Sequence, residues 1–410
     1  MTLRSLRHHL VLAALLACPS LACSAAPDDA TPVTEDGNEI VNVAQTDVER
    51  QSIGNCWLYA HASWAESMHK AATGQDFDVS QSYWTYWHWF DQIAGGYTST
   101  ISTGGGWAVA NNIVKKYGLM NEKDFVATDT TSEMSARQKS ALDALNLSLT
   151  SGALADPATR RDKKRLRAEM DRAWGLTPET SALIDDVFGA SVTRTFSSRT
   201  AARAGTAILR AQDFEASYST APGVASVKKS LLAAQSEWRQ VSYSGGDRAF
   251  LQRVQRALHT AQPVIISWFV DFNAMENREG PLRGSFNMKT LSDFGPGRQG
   301  GHMTVLEDYE AKLQSGQVLK AGETLEPSDP RLAEALTSGT SISFFRVKNS
   351  WGAARVDRAF APGMPGYHDL YMDYLEGPVK KCAERNGETD TTNCPSEQVP
   401  LKYVILPPGY

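Results

Sequence analysis

The stretch RQSIGNCWLYAHASWAES, residues 50–67, sets a cysteine just ahead of a helix-patterned apolar run, behind a Gly-Asn step and a glutamine. Cys56 can be a small buried hydrophobe, a metal ligand or a nucleophile, and the rest of the chain has to choose among them. At a helix N-terminus, free N–H groups and the helix dipole lower a thiol's pKa from about 8.5. Gly54 permits a close approach there, and Trp57, Leu58, Ala60 and Ala62 supply a buried face.

The chain has 410 residues, 42% hydrophobic and 21% charged, which is ordinary globular composition with room for a large core. A net charge of −5 gives no electrostatic case for binding nucleic acid. At the N-terminus, Arg4 and Arg7 precede an apolar run from Leu10 to Ala17 and then small residues, the three-part pattern of a secretory signal over 1–23. The run is too short to span a bilayer. SLAC ending at Cys23 is similar to a lipoprotein box, so attachment to a membrane through a lipidated Cys23 is expected, and the acidic residues 24–49 read as a flexible tether. The chain is therefore expected to be exported, to the periplasm, the outer membrane or the outside of a bacterium. Of the five cysteines, two belong to the signal region, and Cys382 and Cys394 are expected to pair around a polar loop, CAERNGETDTTNC. Cys56 is then left unpaired, a liability in an oxidising compartment unless it is buried or used.

Residues 50–125 read as one unit, with a nucleophile-bearing helix, a Trp/Tyr-rich segment and a GGGW turn into a further helix. Residues 126–250 change to Ala, Arg, Ser and Thr at helical spacing, a mainly helical insertion whose charge run at 160–167 reads as a solvated face. Over 251–410, QPVIISWFVDF, GGHMTVLEDYE, SISFFRVKNSWG, PGYHDLYMDYL and LKYVILPPGY are strand candidates of one sheet. Helices early and strands late give an α+β fold of two lobes.

A cysteine nucleophile needs a base, and the base needs an orienting group. His61 lies roughly 140° around its helix from Cys56 and cannot turn back onto the sulfur. His69, His88, His259 and His368 read as surface or ring-packing residues. His302 differs, because it enters a strand directly behind Gly300 and Gly301, where little bulk blocks access. Asn349 ends the strand FFRVK and can accept from one imidazole nitrogen, leaving the other for the thiol, with Trp351 as a shield. Without CxxC or HxxxH companions, Cys56 and His302 do not read as a metal site, and no cofactor is expected.

GNCWLYA, GGHMTV and VKNSWG, in the order Cys, His, Asn, resemble the papain-like cysteine peptidase superfamily. The Trp-rich segment, GGGWAVANNIVKKYGL and the insertion resemble more loosely its bleomycin hydrolase and aminopeptidase C branch. The resemblance implies a papain-like fold, with a helical left lobe and an antiparallel sheet or barrel as right lobe. It further implies Cys56 as nucleophile, His302 as base, Asn349 as orienting amide, and Gly104 and Gly105 as the pair that binds peptide or protein substrate in extended form. The family's oxyanion glutamine stands six residues before the nucleophile. Here Gln51 stands five before it, with Arg50 in the sixth place. A catalytically silent binding protein and a cysteine acyltransferase or deamidase are the alternatives to a peptidase. The terminal stretch VPLKYVILPPGY reads as a strand spent on the sheet, so an open cleft, endopeptidase over aminopeptidase action, and a monomer or small oligomer are expected.

Overall fold

Five apolar, β-branched stretches late in the chain become neighbours in one sheet, in a computed structural model that describes residues 43–410 apart from 97–99, 130–132 and 386. The strand order is Arg239–Ser242, Leu401–Leu406, Ile265–Asp271, Gln299–Lys312, Ser341–Lys348, Tyr367–Tyr371 and Ser285–Phe286, with Val318–Leu319 pairing onto Gln299–Lys312. All pairs are antiparallel except Tyr367–Tyr371 with Ser285–Phe286. The path is open at both ends, so a closed barrel is not among the described pairings.

Both faces of the sheet are covered, because successive residues point to opposite sides. Ile265, Met303, Val305 and Ile405 join the helical core, whereas Ile266, Leu306, Phe345 and Val404 join a second core on the other face. On the first face lie three helices, α1 (Cys56–Thr73), α2 (Gln81–Ala94) and α3 (Trp107–Tyr117). Ser80 caps α2 by accepting from the Tyr83 N–H. Gly74 closes α1 in the left-handed conformation, φ 71°, which favours glycine.

The segment beyond residue 126 is helical through Phe188, over Ala136–Ser151, Lys163–Trp174 and Pro178–Phe188. Within its charge run, Arg167 is buried and not solvated, 3.1 Å from Asp171 and over the faces of Tyr86 and Trp87. Past that point the chain turns to strands, Glu215–Tyr218 paired with Val227–Ser230, and then Arg239–Ser242 at the edge of the main sheet. Their partners lie far away in sequence or offer short polar runs, so local spacing could not reveal them.

The signal region and Cys23 lie outside the described residues. The end of the expected flexible tether does not behave as one: Val43 is buried, and Thr46 donates to Glu66 Oε2 at 2.5 Å while accepting from Lys348 Nζ at 2.9 Å. An apolar anchor and buried polar partners fix this segment although its composition is acidic. At the other end, the terminal strand lies between Arg239–Ser242 and Ile265–Asp271, and a disulfide joins Cys382 to Cys394 around the hairpin Ala383–Arg385 and Glu388–Asp390. Among the described residues no helix is long and apolar enough to cross a membrane, and no group of His, Cys, Asp and Glu is arranged to hold a metal ion.

Candidate active site

Cys56 is the first residue of α1 and the free cysteine of the described chain. Asn55 stands in the N-cap position but makes no side-chain cap. Its Nδ2 donates instead to Thr85 Oγ1 (3.0 Å) and Gln138 Oε1 (2.9 Å), tying the helix start to α2 and to Ala136–Ser151. The first N–H groups of α1 are thus left for another acceptor. Cys56 as a whole is 8% exposed. Burial pushes its thiol up to about 11, against hydrogen bonds from the backbone of Met303, Trp57 and Cys56 itself. Met303 follows His302, so the sulfur rests against the strand that carries the histidine.

His302 lies on Gln299–Lys312 in register with Trp268, and its ring meets that indole edge-on at 5.5 Å. Its Nε2–H donates to Asn349 Oδ1 at 2.8 Å. The Ser350 N–H donates to the same oxygen at 2.8 Å, which fixes how the amide is turned. Nδ1 is then the imidazole nitrogen left with a lone pair. Burial brings His302 down to about 4, the bond to Asn349 opposing and Arg358 adding to it. Burial thus disfavours the charged form of each member of the pair. Trp351 stacks on His302 with centroids 4.7 Å apart and planes at 19°, and is itself buried.

The other half of the Asn349 amide also has a partner: its Nδ2 donates to His368 Nδ1 at 3.3 Å. His368 is fully buried and packs against Phe286, Trp351 and Phe360, the ring-packing alternative of the sequence reading, while its bond to Asn349 was not foreseen. The sign was the alternation of YHDLY, but the partner depends on register: His368 pairs with Val347, two residues before Asn349. The other described histidines also pack on rings. His88 meets Trp57 edge-on, His69 stacks on Phe214, His259 on Tyr309, and His61 is buried among Trp64, Trp84 and Trp107.

Gln51 and Cys56 line the same cavity, of about 860 Å³, together with His302 and Trp351. The Gln51 amide is held locally, Nε2 donating to the Ile53 carbonyl at 2.7 Å and Oε1 accepting from Ser350 Oγ at 2.6 Å. The short loop between them thus brings Gln51 to the cavity that Cys56 lines. Gly105 lies on Trp57, where a Cβ would meet the indole at 2.5 Å, and Trp57 Nε1 donates to the Thr103 carbonyl at 2.9 Å. Gly104 and Gly105 are exposed beside the start of α1 but are not among the walls of that cavity. Its lining also holds what the sequence reading did not single out: Arg298, Arg355 and Arg358, with Glu384 and Glu388 of the disulfide-closed hairpin.

No family model matches the chain, and no curated protein sequence does. Among solved structures it is similar to PepW from Lactobacillus rhamnosis over 90% of this chain and 81% of that one, at 10% identity and a TM-score of 0.40. It is similar to the proform of the Amb a 11 cysteine protease, a major ragweed pollen allergen, over 92% of this chain and 68% of that one, at 13% identity and a TM-score of 0.31. Likeness at these scores carries no chemistry over, and the site has to be read from its own geometry.

Proposed function

We propose that this chain is an exported cysteine peptidase of papain-like, two-lobed design, hydrolysing peptide bonds through an acyl-enzyme. One observation carries the reading: Cys56 and His302 wall a single cavity, and Asn349 engages Nε2 of the imidazole so that Nδ1 is the basic atom. In this scheme a bound peptide lets the Cys56 proton pass to His302 Nδ1 as sulfur attacks the carbonyl carbon. The oxyanion is met by the uncapped Cys56 N–H, with Gln51 Nε2 as second donor. The imidazolium, steadied by Asn349 and covered by Trp351, then protonates the leaving amine. His302 next takes a proton from water, which attacks the thioester and frees the acid and the thiol. Gly104 and Gly105 would hold the acyl half of the substrate in extended form, since no side chain rises between backbone and peptide.

Endopeptidase over aminopeptidase action, and a monomer or small oligomer, are part of the same proposal. The Cys382–Cys394 disulfide agrees with export. A binding protein on the same fold would have no need of an oriented imidazole beside a thiol. The test is an irreversible thiol-directed peptidase inhibitor, with peptide mapping of the label. Labelling of Cys56 with loss of turnover, and no turnover by Cys56→Ala, is expected. A fully active Cys56→Ala protein would sink the reading, and release of amide-exchange products without hydrolysis would move it to an acyltransferase.

A further inference from the structure

The cavity shared by Cys56 and His302 continues past Trp351, whose ring meets Phe272 at 5.3 Å and 32°, to a cluster in which Arg358 lies against both rings and Arg298 against Phe272. Trp351 lies on His302 at 4.7 Å, the Arg358 guanidinium on Trp351 at 4.3 Å, the same guanidinium 5.0 Å from the Phe272 centroid, and Arg298 on Phe272 at 4.1 Å. A guanidinium held over aromatic rings keeps N–H donors that can meet a planar anion. Arg355 is committed to Asp357. Arg358 is not: its Nη1 is buried with no hydrogen-bond partner, and neither it nor Arg298 has an ion pair among the described residues.

An arginine held this way has a reason to want an anion. Arg358 is brought down to about 10, first by burial and then by Arg355, with Arg298 and Arg50 adding to the crowding and Asp357 opposing it. The loop that carries it is held at both ends. Glu133 accepts from the Ala353 and Ala354 N–H groups, and Asn277 Oδ1 accepts from the Ala359 N–H at 2.9 Å. Glu384 and Glu388 on the hairpin are exposed and face the same cavity without pairing with these arginines.

We propose that Arg358 and Arg298 form a subsite for a carboxylate on the leaving-group half of the substrate. The inference rests on the peptidase reading for its direction. His302 must protonate the leaving amine, so the chain beyond the cut lies on the imidazole's side of the sulfur, along Trp351. A carboxylate there reaches the two guanidinium groups. Two sources share this chemistry, the side chain of an internal Asp or Glu and the terminal carboxylate of a short peptide.

The experiment compares matched quenched peptides with Glu or Gln at the first two positions after the cut, and short peptides ending in a free acid or an amide. Wild type, Arg358→Gln and Arg298→Gln are assayed, with Arg165→Gln, on the distant charged helix, as control. Wild type should prefer one acidic member by roughly 10- to 100-fold in kcat/KM, the scale of a charge-assisted bond. The ratio should fall towards unity in Arg358→Gln and by a smaller factor in Arg298→Gln, and stay in the control. Preference for Glu over Gln assigns a side chain, and preference for acid over amide assigns the terminus. Arg298 is exposed, so its variant keeps the test open if Arg358→Gln fails to fold. Equal rates for acidic and neutral members overturn the subsite alone. Binding of the same peptides to Cys56→Ala, followed by tryptophan fluorescence, separates the two ideas. Tighter binding of the acidic member without any wild-type turnover upholds the subsite and overturns the peptidase.

Discussion

Two cavities flank the join between helices and sheet, and they differ in sign and in use. One, with Cys56 and His302, has arginines in its lining. The other, about 680 Å³, is lined by carboxylates that include Glu49, Glu66, Asp78 and Glu122. The acidic cavity has titrations perturbed at least as far. Burial holds Glu49 well above the usual carboxylate range and Glu122 at about 8, while Lys348, buried between these groups and the site, is held below the usual lysine range. Yet its described walls hold no cysteine and no histidine. Perturbed titration marks a candidate region, and only geometry separates chemistry from structure. In the first cavity three hydrogen bonds to one amide decide which imidazole nitrogen carries the proton. In the second, no such chain ends on a reactive atom.

Replacing His302 with Ala should give the widest split between the two regions. Turnover should fall by roughly 10⁴-fold, since base and acid are lost together, with the circular dichroism spectrum preserved. Glu122→Gln, in the acidic cavity, should leave kcat within about twofold. Comparable losses of turnover from both variants would erase the contrast.

Stability should respond the other way. Glu122 stays protonated more readily folded than unfolded, because its pKa is raised from 4.5 to about 8, by burial first and then by Asp129 and Asp78, against Ser80. The native state therefore holds the extra proton between those values. The stabilisation is fully present below about pH 4.5 and is lost as pH rises towards 8. Denaturant unfolding of wild type should show a decline of about 2–4 kcal/mol across that window from this group. Glu122→Gln should flatten its part of the curve and gain on wild type as pH rises. Parallel curves for the two proteins would show that Glu122 is not the group responsible.

What the sequence disclosed and what it withheld divide along the same physical line. Cys56, His302 and Asn349 sit in short stretches whose local chemistry is explicit: a cysteine at a helix start, a histidine behind paired glycines, an asparagine at a strand end. The five apolar runs are likewise local statements, and each became a strand of the main sheet. The bond of His368 to Asn349 was not legible because it depends on cross-strand register. Arg358 was not legible because stacking on Trp351 and Phe272 needs a loop conformation that no periodicity encodes. Residues 43–49 look like a polar tether in composition, yet pack through half-buried Thr46 onto the buried Glu66 and Lys348, which lie far apart in sequence.

The pH dependence of turnover probes the reactive cavity in the same terms. With His302 brought down to about 4 and Cys56 pushed up to about 11, the neutral imidazole needed as base exists above about pH 4. On that footing kcat/KM should rise with a midpoint near 4 and then stay level into alkaline solution. A fall centred between roughly pH 8 and 9 would instead report loss of an imidazolium proton, the behaviour of a resting ion pair.

Within the reactive cavity the smallest effect should come from His368, which touches neither thiol nor substrate and acts through Asn349. Burial first, then Arg358 and His302, bring it down to about 3, so it remains a neutral acceptor for the Asn349 amide in any ordinary buffer. Leucine in its place fills similar space but leaves Asn349 Nδ2 with no acceptor. The Ser350 N–H still holds Oδ1, so the amide should loosen without turning over. The loss should be about three- to tenfold in kcat, the scale of one buried hydrogen bond, with KM little changed. Because a looser Asn349 supports the His302 imidazolium less well, the acid midpoint should also move down. His368→Gln, whose Oε1 can accept from the same Nδ2, should recover most of the rate. Equal losses from Leu and Gln, with an unmoved acid midpoint, would assign His368 to packing and leave the orientation of Asn349 to Ser350.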